Sequence, residues 1–247
     1  MIRKIAARLV SRHGLLLLGL MLLISNTAYA QTSLDARENT YRAAGIGQIV
    51  CGDLGHRYVS TGSVLGDRLT VLTVAHFNIQ RGRSYEVDVG KCEFRLIDKR
   101  GYAVFRSKFS ILERGGGLNL LNVTRAVDWA VLRLAMPTPR SAIPLELGVK
   151  TTHYDPNIKY DLVGFAAEFD NFKSLFVSEH CDPTKERENS LVTLHKCWSG
   201  PGASGAPIVT FDGERLTLVA IHAATGDDEK VGVQIAGRLR DVLDKVL

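Results

Sequence analysis

The sequence lacks a hydrophobic run long enough to cross a membrane comfortably. Its leading apolar stretch, residues 14–24, has 11 residues, whereas a spanning helix needs roughly 20. A basic start without acids precedes this stretch, and the small-residue site Ala28-Tyr29-Ala30 follows it. This order is typical of a secretory signal peptide. We therefore expect cleavage after residues 1–30, no membrane association afterwards and a secreted or periplasmic protein, with an uncleaved anchor as the alternative.

The chain without this leader also lacks a large net charge. The whole chain carries +5 at pH 7, with a sequence pI of about 9.1. Four of those five charges belong to the basic residues of the leader, so residues 31–247 carry only +1. The basic pI therefore comes mostly from the leader, and it gives no support for a nucleic-acid partner.

Cysteine is scarce and widely spaced. The four cysteines are Cys51, Cys92, Cys181 and Cys197, and no two of them form a Cys-x-x-Cys pair. This spacing argues against a metal site. An even number of cysteines in an exported chain favours two disulfides. Three pairings are possible, and sequence proximity favours Cys51–Cys92 and Cys181–Cys197.

The 217 residues after the leader are predicted to form a polar arm followed by one β-rich domain. We assign residues 31–45 to the arm, which we expect to be loose, and residues 46–247 to the domain. Many short strands separated by Gly, Asn and Asp predict a sandwich or barrel. The last dozen residues instead repeat apolar side chains at helical spacing, which predicts a C-terminal amphipathic helix. The predicted strands are 58–65, 69–76, 84–89, 92–97, 102–105, 129–134, 161–166, 174–177, 207–211, 216–222 and 232–235.

Three short segments supply the parts of a serine nucleophile. His76 ends one β-like run, Asp128 immediately precedes another, and Ser204 lies in a turn of small residues. Acyl transfer by a serine needs a base for the hydroxyl proton, an acid that orients the base and N–H donors for the oxyanion. Taken singly, the histidine and the aspartate are better explained as structural residues at strand ends. Their occurrence together favours a catalytic triad.

The chain order and the local motifs resemble those of the chymotrypsin/trypsin-like serine proteases. The segment LTVAHF (72–77) is similar to the histidine block of that family, and DWAVLRL (128–134) is similar to its aspartate block. The segment GPGASGAPIV (200–209) is similar to its serine block, and LVAIHAA (218–224) to the strand that lines its substrate cleft. The α/β-hydrolase order, Ser then Asp then His, is not found here.

This resemblance implies an all-β fold of two six-stranded antiparallel barrels with the active site between them. It also implies that His76 is the general base, that Asp128 orients it and that Ser204 attacks the substrate carbonyl. The backbone N–H groups of Gly202 and Ser204 would form the oxyanion hole. Gly202 suits that role because a side chain would crowd the approach of the substrate.

Two departures from the family pattern concern the surroundings of the triad. Ala203 replaces the aspartate that pairs with a newly cut N-terminus in trypsin-like zymogens, so that activation switch is absent. Phe77 replaces the cysteine that usually follows the catalytic histidine, so the disulfide at that point is absent as well.

The specificity pocket departs from the trypsin pattern too. Trp198 falls where trypsin carries its acidic residue, so cleavage after Arg or Lys is not expected. Ser199 and His222 fall where glutamyl endopeptidases bind the carboxylate of a substrate glutamate. Ala223 and Ala224 continue the strand that lines the cleft. His222 is alternatively an ordinary strand residue, and Trp198 at the pocket base would favour small apolar residues.

The sequence therefore predicts an exported serine endopeptidase that acts on protein or peptide substrates. We expect a monomer that needs no cofactor and no metal. The alternative is a catalytically weak, protease-like binding protein of the same fold.

Overall fold

The computed structural model of the chain describes most of the domain and little of what precedes it. The predicted signal peptide and residues 31–39 of the predicted arm lie outside the described residues. Residues 41–247 form one compact unit. The described residues are 40–42, 44–53, 56–79, 86–115, 127–148, 157–179, 181, 183–185, 191–225 and 230–247.

The first sheet contains seven antiparallel strands in the order β5-β4-β1-β2-β3-β7-β6. These strands are β1 (Ile46–Asp53), β2 (His56–Leu65), β3 (Thr70–Thr73), β4 (Cys92–Ile97), β5 (Ala103–Ser107), β6 (Phe109–Arg114) and β7 (Ala130–Leu134). Only Lys108 separates β5 from β6, yet the two pair with opposite edges of the sheet. One bent segment thus brings the edges together as in a barrel. Because the bend divides this segment into two strands, the first sheet has seven strands instead of the six that were predicted.

The second sheet follows the order β10-β9-β13-β14-β15-β12-β11, and β8 pairs with β14 in parallel. Its strands are β8 (Glu146–Leu147), β9 (Tyr160–Phe165), β10 (Leu175–Ser178), β11 (Thr184–Lys185), β12 (Val192–His195), β13 (Pro207–Phe211), β14 (Leu216–Thr225) and β15 (Lys230–Gln234). Cys181 donates its N–H to the Tyr160 carbonyl at 2.8 Å and accepts from the Lys196 N–H at 3.1 Å. The segment around Cys181 therefore joins the two edges of this sheet.

The predicted all-β architecture with a C-terminal helix is confirmed, with one strand prediction corrected. The helix α1 (Gly237–Val246) buries Leu239, Val242 and Leu243 against the core. The predicted strand 84–89 is wrong in its described part. Instead, Asp88 accepts a hydrogen bond from the Gly90 N–H and caps a 3₁₀ turn, Val89–Lys91. A short side chain that bonds the local backbone favours such a turn over a strand.

Two disulfides hold different parts of the fold. Cys51 and Cys92 are bonded across β1 and β4, where they already face each other in the strand register. Cys181 and Cys197 are bonded between the edge-joining segment and the loop after β12. These are the two pairings that sequence proximity favours, and the described residues contain no free cysteine.

The end of the predicted arm is packed, contrary to the expectation of a loose segment. Tyr41 and Ala44 are buried. The Tyr41 ring lies 6.3 Å from that of Phe211, and its hydroxyl donates to the Asp161 carboxylate. Aromatic burial combined with a satisfied hydroxyl fixes this segment on the second barrel.

Candidate active site

His76 and Asp128 meet because their strands pair. Thr73 at the end of β3 lies opposite Ala130 at the start of β7, so the residues just beyond these ends come together. The His76 Nδ1 atom lies 2.7 Å from the Asp128 Oδ2 atom. Since a carboxylate only accepts, Nδ1 carries a proton, and in the tautomer that this contact favours the lone pair lies on Nε2.

The other oxygen of Asp128 fixes the turn that carries the histidine. Oδ1 accepts from the Ala75 N–H at 2.9 Å and from the His76 N–H at 3.2 Å. Asp128 is buried, whereas the His76 side chain is 35% exposed. The aspartate therefore orients both the backbone and the ring of His76, and the ring remains accessible.

A polar and aromatic cluster supports the histidine turn where the family disulfide is missing. The Phe77 ring is buried beneath the Arg114 guanidinium, which lies 5.4 Å from the ring centroid. Arg114 also donates to the Asn78 side chain at 3.2 Å and pairs with Glu86 at 3.2 Å. Cation–π and ion-pair contacts of this kind hold neighbouring chain segments together without a covalent bond.

The Ser204 turn belongs to the second barrel but is bonded to the first. The Thr61 N–H donates to the Ser204 carbonyl at 2.8 Å, and the Thr61 hydroxyl donates to the Gly202 carbonyl at 3.0 Å. Gly205 has a φ of +84°, and a β-carbon there would collide with the Thr61 carbonyl and the Thr73 hydroxyl. Only glycine fits this position. The serine turn thus lies against β2 and the end of β3, the strand that leads to the histidine.

The structure does not join the third member of the predicted triad to the other two by a hydrogen bond. Within the described part of the chain, Ser204 and His76 share no hydrogen bond. Catalytic hydrogen bonds are often long without substrate. In the same part of the chain, the N–H groups of Gly202 and Ser204 donate to no acceptor. Gly202 has a φ of +102°, and the Phe172 ring packs against it.

Ala203 within this turn and Trp198 before it both contact apolar side chains. Ala203 is fully buried in a small core that also contains Phe176. The Trp198 indole makes edge contacts with Phe169 and Phe176, with ring centroids 5.0 and 5.2 Å apart, and it is 42% exposed. The turn therefore has hydrophobic support at the position where trypsin-like zymogens use an ion pair.

The cleft strand β14 holds His222 beside the serine turn. The His222 N–H donates to the Ala206 carbonyl, and the His222 carbonyl accepts from the Gly205 N–H, both at 2.8 Å. A register shift between His222 and Ala224 in the pairing with β15 leaves Ala223 at a bulge. Ser199 lies on the loop before the turn and is half-buried.

His195 is a residue of this region that none of the sequence motifs marks. It is buried, and its Nε2 atom lies 3.1 Å from the His222 Nδ1 atom, which is also buried. Burial lowers the pKa of His195 to about 4, with a smaller contribution from Lys230. Burial, and then repulsion from His195 and His76, lowers the pKa of His222 well below its usual value. Both rings are therefore neutral at pH 7. A lone histidine in a strand carries no sequence signal for such a partner.

The surroundings of the second ring nitrogen of His195 indicate which tautomer the ring adopts. Its Nδ1 atom is buried and has no hydrogen-bond partner among the residues that the structure describes. Since an orphaned buried acceptor is better tolerated than an orphaned donor, we assign the His195 proton to Nε2, which donates to His222 Nδ1. His222 then carries its own proton on Nε2.

The described residues offer no alternative site based on a metal or a membrane span. They contain no group of His, Cys, Asp and Glu side chains arranged to hold a metal ion. No helix among them is both long and apolar enough to cross a bilayer.

Comparisons with known proteins identify the fold through structure rather than through sequence. No family model and no curated protein matches the sequence. Among solved structures, a Glu endopeptidase has a TM-score of 0.61 at 14% identity, covering 82% of this chain and 90% of that one. The protease Anisep from Arthrobacter nicotinovorans has 0.59 at 15% identity, covering 81% and 94%. An inactivated protease paralogue from the scabies mite has 0.59 at 12% identity, covering 84% and 96%. The chain therefore has the fold of the chymotrypsin-like serine proteases.

Proposed function

We propose that the protein is an exported, monomeric serine endopeptidase that works through an acyl-enzyme. The observation that carries this proposal is the Asp128–His76 pair, which leaves the histidine Nε2 as a base beside the Ser204 turn. The fold of known proteases supports a peptide or protein substrate. The two disulfides support an oxidising, extracytoplasmic location.

In this proposal, each group has one task. The Ser204 hydroxyl attacks the substrate carbonyl while His76 Nε2 takes its proton, and Asp128 stabilises the resulting imidazolium. The N–H groups of Gly202 and Ser204, which have no acceptor among the described residues, donate to the developing oxyanion. His76 then gives its proton to the leaving amine. A water molecule repeats the sequence on the acyl-enzyme and restores the Ser204 hydroxyl.

The decisive substitution is Ser204→Ala in residues 31–247. We expect the rate of hydrolysis of a general protein substrate to fall by about 10⁴-fold or more, since only binding and the oxyanion donors remain. Ser110→Ala, on the exposed face of β6, is the control and should retain the parent rate. Equal rates for parent and Ser204→Ala would leave the alternative, a protease-like binding protein with weak activity or none. The inactivated paralogue among the fold neighbours shows that this fold also occurs without activity.

We further propose that no activating cleavage is needed after export. Ala203 cannot form the zymogen ion pair, and the turn instead rests on buried apolar residues. Protein beginning at Gln31 should react with a serine-directed fluorophosphonate while its intact mass shows an untrimmed N-terminus. Labelling only after loss of an N-terminal segment would contradict this proposal.

The substrate residue before the scissile bond is proposed to be acidic. A buried substrate carboxylate needs hydrogen bonds to offset lost hydration, and the proton assigned to His222 Nε2, with help from Ser199, supplies donors. The measurement is the ratio of kcat/KM for glutamyl over alanyl peptides, which should exceed unity and fall in His222→Ala. A parent ratio at or below unity would favour small apolar residues, as would a high ratio that His222→Ala leaves unchanged.

A further inference from the structure

Three arginines cluster on the outer face of the first barrel. Arg95 and Arg106 lie directly opposite each other on β4 and β5. Both bond to Glu93, Arg106 at 2.9 Å. Arg57, on β2 and separated from β4 by β1, donates to the side-chain oxygen of Gln48 at 3.4 Å. Two guanidinium groups thus bond one carboxylate, and a third lies close enough for the charges of all three residues to act on it.

The positive charge of this cluster is only partly neutralised. Like charges directly opposite each other on adjacent strands destabilise a sheet. Burial lowers the pKa of Arg57, and Arg95 and Arg106 lower it further, whereas Glu93 makes the smallest, opposing contribution. The excess is local, because residues 31–247 carry only +1 in total. An anion would stabilise such a group of guanidiniums.

A buried glutamine connects the cluster to the candidate active site. Gln48 is 1% exposed, and its amide nitrogen donates to the Phe172 carbonyl while its oxygen accepts from Arg57. The Phe172 ring packs on Gly202. The cluster is therefore continuous with the face of the serine turn that Phe172 covers.

The strand register gives the distance between the arginine cluster and the Ser204 turn. Gln48 on β1 lies opposite Thr61 on one side and opposite Arg95 on the other. Because paired strands are about 4.8 Å apart, the backbone of Arg95 lies about 10 Å from that of Thr61, which bonds to Ser204. An extended peptide covers that distance in roughly three residues.

We propose that Arg57, Arg95 and Arg106 form a subsite for acidic side chains of an extended peptide, about three to five residues from the bond that is cleaved. The number of arginines favours this ligand, because three guanidinium groups match one or two carboxylates rather than a long polyanion. The effect on cleavage rests on the proposed function, whereas binding of the peptide does not.

The first experiment compares two peptides with the same scissile bond. One carries Glu and the other Gln at positions three to five on both sides of that bond, and kcat/KM is measured at low salt. Exposed charge contacts of this kind are worth a few tenths to about 1 kcal/mol each. We therefore expect the Glu peptide to be preferred about fivefold, and we expect 0.5 M NaCl to remove most of the preference.

Variants assign that preference to the cluster. Arg57→Gln/Arg106→Gln should bring the Glu-to-Gln ratio close to 1. Arg215→Gln/Arg238→Gln is the matched control, because it removes two exposed, paired arginines elsewhere and changes the net charge equally. The control should keep the parent ratio. An equal fall in both double variants would overturn the site in favour of net charge alone.

A second measurement separates this inference from the proposed function. Fluorescence anisotropy follows binding of the labelled Glu and Gln peptides to Ser204→Ala protein at low salt. Tighter binding of the Glu peptide, lost in the added Arg57→Gln/Arg106→Gln background, supports the subsite even if no peptide is ever cleaved. Cleavage of both peptides at equal rates, with equal binding, would overturn the subsite and leave the protease intact.

Discussion

The two barrels are closed in the same way but stabilised differently. In each, one chain segment pairs with both edges of the sheet. In the first barrel, the disulfide Cys51–Cys92 joins residues that the strand register already places opposite each other. In the second, Cys181–Cys197 ties the closing segment to the loop that enters the Ser204 turn. The first bond reinforces a sheet, whereas the second restrains a candidate catalytic loop.

The same contrast applies to the site residues. The first barrel presents His76 and Asp128 at the ends of paired strands, where backbone hydrogen bonds fix them. The second presents Ser204 in a turn with left-handed glycines, and that turn depends on Thr61 of the first barrel for its position. The proposed base is therefore fixed locally, and the proposed nucleophile is fixed by the contact between barrels.

The largest expected effect is on the locally fixed pair. Asp128→Asn presents an amide that does not hold His76 in the tautomer with a free Nε2, so we expect kcat to fall by about 10⁴-fold. Steady-state kinetics measures the loss. Asp67→Asn, which disrupts an exposed pair with Arg133, is the control and should keep kcat. A fall below tenfold in Asp128→Asn would show that the pair is structural.

The two disulfides should separate stability from activity. Their sequence separations are 41 and 16 residues, so loop entropy predicts a loss of about 4 kcal/mol for Cys51→Ser/Cys92→Ser and about 3 kcal/mol for Cys181→Ser/Cys197→Ser. Despite the smaller loss, the second pair should reduce kcat/KM more under conditions where both variants are folded. Urea unfolding and peptide kinetics give the two quantities. A larger kcat/KM loss in the first pair would reverse the comparison.

The contact between barrels is tested at Gly205. Gly205→Ala adds a β-carbon that meets Thr61 and Thr73, and we expect unfolding free energy to fall by about 3 kcal/mol. Gly213→Ala is a matched control, since Gly213 also has a positive φ (+107°) but no atom within 4 Å of the added carbon. It should lose only about 1 kcal/mol. Equal losses in urea unfolding would mean that backbone strain alone matters and that the contact is loose.

The smallest effect concerns pH and the buried histidines of the second barrel. The pKa of His195 falls from 6.5 to about 4 on folding, so the unfolded chain binds more protons between those values. Its stabilisation is complete above about pH 6.5 and is lost as the pH falls towards 4. Between pH 7.5 and pH 5, the unfolding free energy of His195→Gln should therefore fall by about 2 kcal/mol less than that of the parent. An unchanged slope would show that folding does not lower the pKa of His195.

Local patterns predicted much of the fold, and long-range contacts account for what was missed. Alternation in CEFRLI gave β4 with its correct bounds, because side-chain direction follows from the chain itself. The strand β6 was missed because a bend at Lys108 transfers the chain to another edge, which no local pattern records. The motifs placed His76 and Asp128 correctly together, 52 residues apart. The His195–His222 pair and the aromatic contacts of Trp198 depend on tertiary packing that a single residue type does not reveal.

The most direct test of the proposed triad is labelling of residues 31–247 with a fluorophosphonate, followed by peptide mass spectrometry. We expect one adduct, on Ser204, formed at a rate that falls by orders of magnitude in His76→Ala because the proposed base is lost. An absent adduct, an adduct on another serine, or an unchanged rate in His76→Ala would contradict it.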